Sequence, residues 1–317
     1  LKIVIPGGSG QVGHVLARAF VRDDDEVVVL SRNAEDVSGV RVVQWDGKSL
    51  GKWVSEINGS DVVINLAGRT VNCRYNQANR DEITQSRVLS TLAVGQAIAE
   101  AKAPPRVWLQ ASTATIYAHR YDAPNDEATG ILGGDEPGAP DTWRFSIQVA
   151  KAWELALNEV ETPRTRKVAM RSAMTMSPDR DGIFDVLLRL VRRGLGGQAG
   201  DGKQYISWAH EVDFVNAIRF LIERDDMDGA VNIASPNPLP NKEFMRALRD
   251  DWGTKIGLPA ANWMLEIGAL FMKTETELIL KSRRVVPKRL LDAGFQFQFP
   301  EWPEAAKDLC TRWRATA

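Results

Sequence analysis

The sequence predicts an α/β fold: a doubly wound parallel sheet joined to a smaller, mostly helical C-terminal domain. Three observations carry this. Short β-branched runs alternate with longer helical patterns through the first half of the chain. A glycine-rich turn, Gly7-x-x-Gly10-x-x-Gly13, stands between the first run and the first helical pattern. The second half loses the alternation and becomes rich in helical patterns.

The elements follow in order. Lys2–Pro6 is an apolar run, and Val12–Val21 has apolar residues at helical spacing. Glu26–Leu30, Val40–Trp45 and Asp61–Leu66 read as the next three strands. A long amphipathic stretch from Arg80 to Ala101 precedes a fifth strand at Arg106–Ala111. Trp143–Val160 is helical, with Asp141 as its N-cap, and Lys167–Arg171 is a sixth strand. Right-handed crossovers then give the doubly wound arrangement. Asp185–Arg193 and Glu211–Arg224 read as helices on either side of a Gly-rich loop, Gly194 to Gly202. Gly229–Ala234 is a seventh strand, ended by Ser235-Pro236-Asn237-Pro238. Helices are expected near Lys242–Asp251, at Asn262–Leu280 and from Trp302. Residues 1–175, with about 208–234, form the expected nucleotide-binding domain. Residues 176–207 and 235–317 form the expected second domain.

Composition narrows the function. The 317 residues carry 40 Lys+Arg against 41 Asp+Glu, so no electrostatic reason exists to expect nucleic acid or an anionic membrane as partner. A hydrophobic share of 44% excludes a disordered chain. Cys73 and Cys310 cannot build a disulfide framework, which points to a reducing compartment, the cytoplasm. His14, His119 and His210 lie far apart without metal-ligand spacing, so no metal is expected. The longest apolar run, Asn262 to Met272, is broken by Glu266 and falls short of the roughly 18 residues a membrane span needs. A strand-like run begins at Lys2 and leaves no room for a signal peptide in this sequence. Ten tryptophans, among them Trp252, Trp263, Trp302 and Trp313, are assigned to packing. So are Met264, Leu265, Ile267, Leu270 and Phe271, as one helix face.

The glycine turn carries the first chemical assignment. Gly7 permits the tight turn, Gly10 lets the backbone approach a pyrophosphate, and Gly13 lets the helix pack close to the strand. Ser9, Gln11 and Val12 complete a helix N-terminus whose free N–H groups suit phosphate. This placement is the Rossmann dinucleotide-binding pattern. NAD sites carry an Asp or Glu at the end of the second strand, about 20 residues past the glycines. Here the strand ends in Leu30-Ser31-Arg32-Asn33, and Glu35 and Asp36 come after it. Arg32, with Ser31, suits a 2′-phosphate, so NADP (as NADPH) is favoured over NAD. Asp46, at the end of the third strand, is placed to accept from an adenine amino group. Leu66, Ala67 and Gly68, at the end of the fourth, let a cofactor lie against the strand ends. Ordinary strand-end turn chemistry is the alternative for both.

Later motifs are Gln85-Ser86-Arg87, Trp153-Glu154, Ser177-Pro178-Asp179, the run Gly200 to His210, Asn232-Ile233-Ala234-Ser235-Pro236, and Val286-Pro287-Lys288-Arg289-Leu290 with Ala293-Gly294-Phe295. Together these resemble the extended short-chain dehydrogenase/reductases, which include the nucleotide-sugar epimerases and dehydratases. Within that group they resemble an atypical branch, the epimerase family proteins. The resemblance implies a cofactor role for Arg87 and substrate contacts for Lys203, Gln204 and His210. It implies a small polar substrate, with nucleotide-linked sugars among the candidates. Relatives often dimerise through the two long helices, so monomer and homodimer both stay open.

The resemblance also implies three catalytic groups: a Ser or Thr after the fifth strand, a Tyr acid/base, and a Lys four residues beyond it. Gln110-Ala111-Ser112-Thr113-Ala114-Thr115-Ile116-Tyr117 places Thr113 in the first role. No Tyr-x-x-x-Lys exists anywhere in the chain. On the expected helix, Ile147 precedes Lys151 by four, and alignment on Glu154 puts Ser146 and Ala150 in the two slots. Tyr117 is the candidate substitute, with Lys151 or Arg87 as its cation, and His119 is a weaker one. Two functions remain open: an NADP-dependent oxidoreductase or epimerase-like enzyme, and a non-catalytic or redox-sensing NADP-binding protein.

Overall fold

A computed structural model describes residues 1–33, 39–261, 275 and 277–316. Seven strands form one parallel sheet: β1 (Lys2–Pro6), β2 (Glu26–Ser31), β3 (Arg41–Gln44), β4 (Val62–Asn65), β5 (Val107–Thr113), β6 (Arg166–Ser172) and, later in the chain, β10 (Gly229–Ile233). Their order is β10-β6-β5-β4-β1-β2-β3. The order reverses between β1 and β4, and a crevice opens there at the carboxyl ends of the strands. The helices between them are α1 (Gln11–Arg22), α2 (Val54–Ile57), α3 (Gln77–Glu100) and α4 (Asp141–Glu159). The expected strands and helices of this half all form, with ends shifted by one to three residues.

Alternation along each strand builds two cores. Ile3, Ile5, Val27, Val29, Ile64 and Leu109 face α1 through Leu16 and Phe20. The same layer packs on α6 (Glu211–Glu223) through Phe214, Ile218 and Leu221. Val4, Val28, Leu30, Val63 and Trp108 point the other way, onto Val94 and Ala97 of α3 and Leu157 of α4. Strands buried on both faces read as unbroken apolar runs, which is why the sequence revealed them. Asp141 is not a cap: Pro140 holds that position with extended backbone, and Asp141 lies inside the first turn of α4. There it pairs with Arg80, 2.5 Å away.

A third core is separate. It joins α5 (Ile183–Arg192), α7 (Asn241–Trp252) and α10 (Trp302–Ala315) through Phe184, Leu188, Phe244, Leu248, Leu309 and Trp313. Two short pairings support it: β7 (Met174–Met176) with β9 (Trp208–His210), and β8 (Tyr205–Ile206) with β11 (Leu239–Pro240). Two- and three-residue strands are too short to show a period of two in sequence. Between α7 and α10 lie α8 (Glu277–Leu280) and α9 (Lys288–Asp292). Leu290 and Phe295 pack into the sheet's first core, not the third. Most of the helix expected at Asn262–Leu280, including Trp263, Met264, Leu265, Ile267, Leu270 and Phe271, lies outside the described residues, as do Glu35 and Asp36. Among the described residues, no helix is long and apolar enough to cross a membrane.

Candidate functional site

The glycine loop is shaped by contacts that leave no room for side chains. Gly7 has φ +76°, and a Cβ there would stand 2.6 Å from the Ala67 backbone. A Cβ on Gly13 would stand 2.2 Å from the Gly8 carbonyl oxygen. Gly10 is different: only the Gly7 oxygen comes near, at 3.8 Å. Gly7 and Gly13 are therefore small because protein lies against them. Gly10 is small beside open space, where a ligand must approach. Gly10 is also the N-cap of α1, and no side chain caps that helix. Its first-turn N–H groups, from Gln11, Val12 and Gly13, retain their partial positive charge. These backbone N–H groups are a donor set lacking a side-chain acceptor, as a pyrophosphate-binding loop presents.

A cavity of about 540 Å³ opens from this loop. Gly7, Ser9 and Gly10 form one wall, and Leu66, Ala67 and Gly68 at the end of β4 form another. Ser31 and Arg32 close its far end. The Ser31 hydroxyl donates to Ser9 Oγ at 2.9 Å and accepts from the Asn33 amide at 3.3 Å. Arg32 is exposed, and among the described residues the acids on the cavity lining are Asp46 and Glu82. Asp46 Oδ1 accepts the amides of Lys48 and Ser49, which hold its carboxyl below the usual range. Glu82 is engaged by Arg69, 2.6 Å away. The cavity thus brings together Gly7, Ser9, Gly10, Ser31, Arg32, Asp46, Leu66, Ala67 and Gly68.

Arg87 does not line it. Its guanidinium donates to the carbonyls of Arg69 and Ile83 and lies over the Trp153 ring. It supports Gly68 from beneath, and burial pushes it down to about 10. Sequence reasoning missed Lys48, which follows the Asp46-Gly47 turn onto the same wall as Arg32. A lysine two residues past a strand-end Asp was the available signal.

At the ends of β5 and β6 the arrangement is less expected. Thr113 is half-buried, and its Oγ1 accepts the Thr115 amide at 3.2 Å. Tyr117 is 2% exposed. Its hydroxyl donates to Asn232 Oδ1 and accepts from Arg171, both at 2.9 Å. Arg171 in turn grips Glu154 with two bonds of 2.8 Å. Burial pushes the Tyr117 phenol up, with Arg171 opposing. This is the geometry of a satisfied core tyrosine rather than an acid/base. The cation on the phenol is Arg171, and Lys151 Nζ lies 3.6 Å from where a Gly134 Cβ would stand. His119 Nδ1 accepts the Ser282 amide, and its ring packs on Trp143.

The three residues expected to meet substrate separate. Lys203 is exposed. Gln204 is buried and donates to the carbonyls of Ala199 and Ile279. His210 is fully buried, caps α6 through Val212 N, meets Asp308 at 3.1 Å and stacks on Phe299. Burial pushes it down to about 4. It therefore opens α6 as the helix's N-cap. Sequence reasoning also missed Lys281, fully buried with Nζ donating to the Thr115 carbonyl at 2.7 Å.

A model of the NAD dependent epimerase/dehydratase family matches residues 3–234, and one for a domain of unknown function, DUF1731, matches residues 260–309. The chain is 30% identical over 315 residues to the epimerase family protein SDR39U1 of Bos taurus, covering 98% of this chain and 99% of that protein. It is similar to the crystal structure of human SDR39U1 (isoform 2) with NADPH, at TM-score 0.85 and 26% identity, over 98% and 99% of the two chains. It also resembles a nucleoside-diphosphate sugar epimerase from Corynebacterium glutamicum, at TM-score 0.75 and 25% identity, over 98% of this chain and 58% of that one.

Proposed function

Because the chain belongs to the NAD dependent epimerase/dehydratase family, we propose that its glycine-rich cavity holds NADPH in preference to NADH, for an oxidoreductase or epimerase-like reaction on a small polar substrate. The observation that carries this is the end of β2, where Leu30-Ser31-Arg32-Asn33 offers a guanidinium and no carboxylate, and Lys48 lines the same cavity as Arg32. A carboxylate there would repel a 2′-phosphate; a guanidinium binds it with charge-assisted hydrogen bonds. The NADPH in the human relative's structure supports the same choice. Ser9 and the uncapped start of α1 hold the pyrophosphate, and Asp46 accepts from adenine. The cofactor, when bound, supplies or accepts hydride at its nicotinamide.

Thr113 orients the substrate oxygen at the end of β5, and Lys203 contacts the substrate's distal end. The similarity to a nucleoside-diphosphate sugar epimerase favours a nucleotide-linked sugar. Residues 1–175 with 208–234 form the nucleotide-binding unit, and the third core organises the substrate-binding unit. A second reading, a non-catalytic NADPH-binding protein, is favoured by the absence of any Tyr-x-x-x-Lys. Absorbance at 340 nm, which reads net reduction, and chromatography of the products, which reads epimerisation or dehydration with the cofactor regenerated, separate the two over a panel of nucleotide-linked sugars and small carbonyl compounds. NADPH consumption or a new product from any member establishes the enzyme; tight NADPH binding with neither favours the second reading.

A further inference from the structure

The missing tyrosine leaves a place on α4 that another group fills. Ser146, Ala150 and Glu154 follow at intervals of four and share one helix face. Glu154 accepts from Ser112 on β5 at 2.6 Å, and Ala150 packs on Ala114 and Ile116 just beyond it. Ser146, one turn further on, therefore continues this ridge along the turn that carries Thr113 and Thr115. Of the two registers open in sequence, the structure favours the one aligned on Glu154.

Ser146 is engaged by the C-terminal region. Its Oγ donates to Glu277 Oε2 at 2.5 Å. Glu277 Oε1 accepts from Arg283 at 3.2 Å, and Arg283 Nε donates to Thr115 Oγ1 at 3.1 Å. Glu277 is fully buried, whereas Ser146, Thr113 and Thr115 keep partial exposure. A partly exposed hydroxyl thus stands with a buried carboxylate behind it, and a guanidinium compensates that carboxylate's burial. The Tyr75 phenol lies beside Ser146, and among the described residues Lys281, Glu136, Cys73 and Glu275 are further titratable groups near this cluster.

We propose that Ser146 is the catalytic hydroxyl of this site and that Glu277, held by Arg283, is the positioning residue that exchanges its proton. The inference rests on the NADPH reading above. When an alcohol is oxidised, the substrate O–H breaks and its proton joins Ser146 Oγ. The Ser146 proton passes to Glu277 Oε2, and the carbinol carbon gives its hydride to the oxidised nicotinamide, which is thereby reduced. Reduction of a carbonyl reverses each transfer, so Glu277 must then begin protonated.

The test uses the full chain, NADPH and 9,10-phenanthrenequinone as carbonyl probe. A positioned acid/base contributes about 10²–10⁴-fold. Ser146→Ala and Glu277→Gln should each lower kcat by about 10²-fold or more, with the Kd for NADPH within threefold of wild type. Ser146→Thr should restore most of the rate. The wild-type kcat should show a normal solvent isotope effect in D₂O, because two protons move in the step. That signature should vanish in Glu277→Gln. Retained NADPH affinity shows that each variant is folded, and Glu277→Asp serves where Glu277→Gln loses it. Rates within threefold of wild type for Ser146→Ala and Glu277→Gln overturn the proposal. So does a wild-type protein that binds NADPH but does not reduce the probe. A wild-type protein that binds no NADPH refutes the cofactor reading instead.

Discussion

Tyr117→Phe tests whether a buried tyrosine packs or reacts. The substitution removes one oxygen and keeps the ring among Ala114, Ile116 and Val285. That oxygen serves two buried partners: Asn232 Oδ1, which accepts its proton, and Arg171, which donates to it. Asn232 is 0% exposed and Arg171 8%, so water cannot readily replace the phenol. A neutral hydrogen bond contributes about 0.5–1.5 kcal/mol, and one to a charged group about 1.5–3 kcal/mol. The expected loss is therefore about 2–4 kcal/mol. Urea denaturation read by tryptophan fluorescence measures it as a lower midpoint with an unchanged slope. NADPH affinity should stay within threefold. A stability change below about 0.5 kcal/mol, together with a large loss of turnover, would refute the packing assignment and return Tyr117 to catalysis.

Two glycines should respond oppositely. Gly13→Ala drives a Cβ into the Gly8 backbone and should cost at least about 1–3 kcal/mol in denaturation, and cofactor binding with it. Gly10→Ala should leave stability nearly unchanged, because its φ of −83° suits any residue, yet weaken NADPH binding by crowding the ligand's side. His210 predicts a pH dependence. Burial pushes it down to about 4, against about 6.5 in the unfolded chain. Between these values the unfolded state binds a proton that the folded state does not, so stability falls as pH drops from about 6.5 to about 4. Thermal denaturation should show this fall, and His210→Asn, which keeps a capping side chain, should diminish it. His119, also pushed down by burial, sustains the rest.

The sheet was legible because its strands are buried on both faces and its crossover helices are long. The cofactor wall was legible for a related reason: Gly7, Gly10, Gly13 and Arg32 each answer a local backbone or charge requirement close in sequence. The ends of β5 and β6 were not. Tyr117 meets Asn232 and Arg171 across 115 and 54 residues, and Ser146 meets Glu277 across 131. No spacing rule reports such contacts; the first two exist only once β6 and β10 join the sheet, and the third only once the C-terminal region meets α4. His210 and Gln204 misled for the same reason. A polar residue beside a Gly-rich loop resembles a ligand contact until its partners, Asp308 and the Ile279 carbonyl, are placed.

The central claim is that Arg32 selects a 2′-phosphate, and calorimetric titration of NADPH and NADH tests it most directly. A charge-assisted hydrogen bond of about 1.5–3 kcal/mol corresponds to a tenfold or greater change in Kd. The account predicts NADPH binding at least tenfold tighter than NADH, with that advantage reduced by at least tenfold in Arg32→Ala while NADH binding is unchanged. Equal affinities for the two nucleotides, or binding of neither, would contradict it.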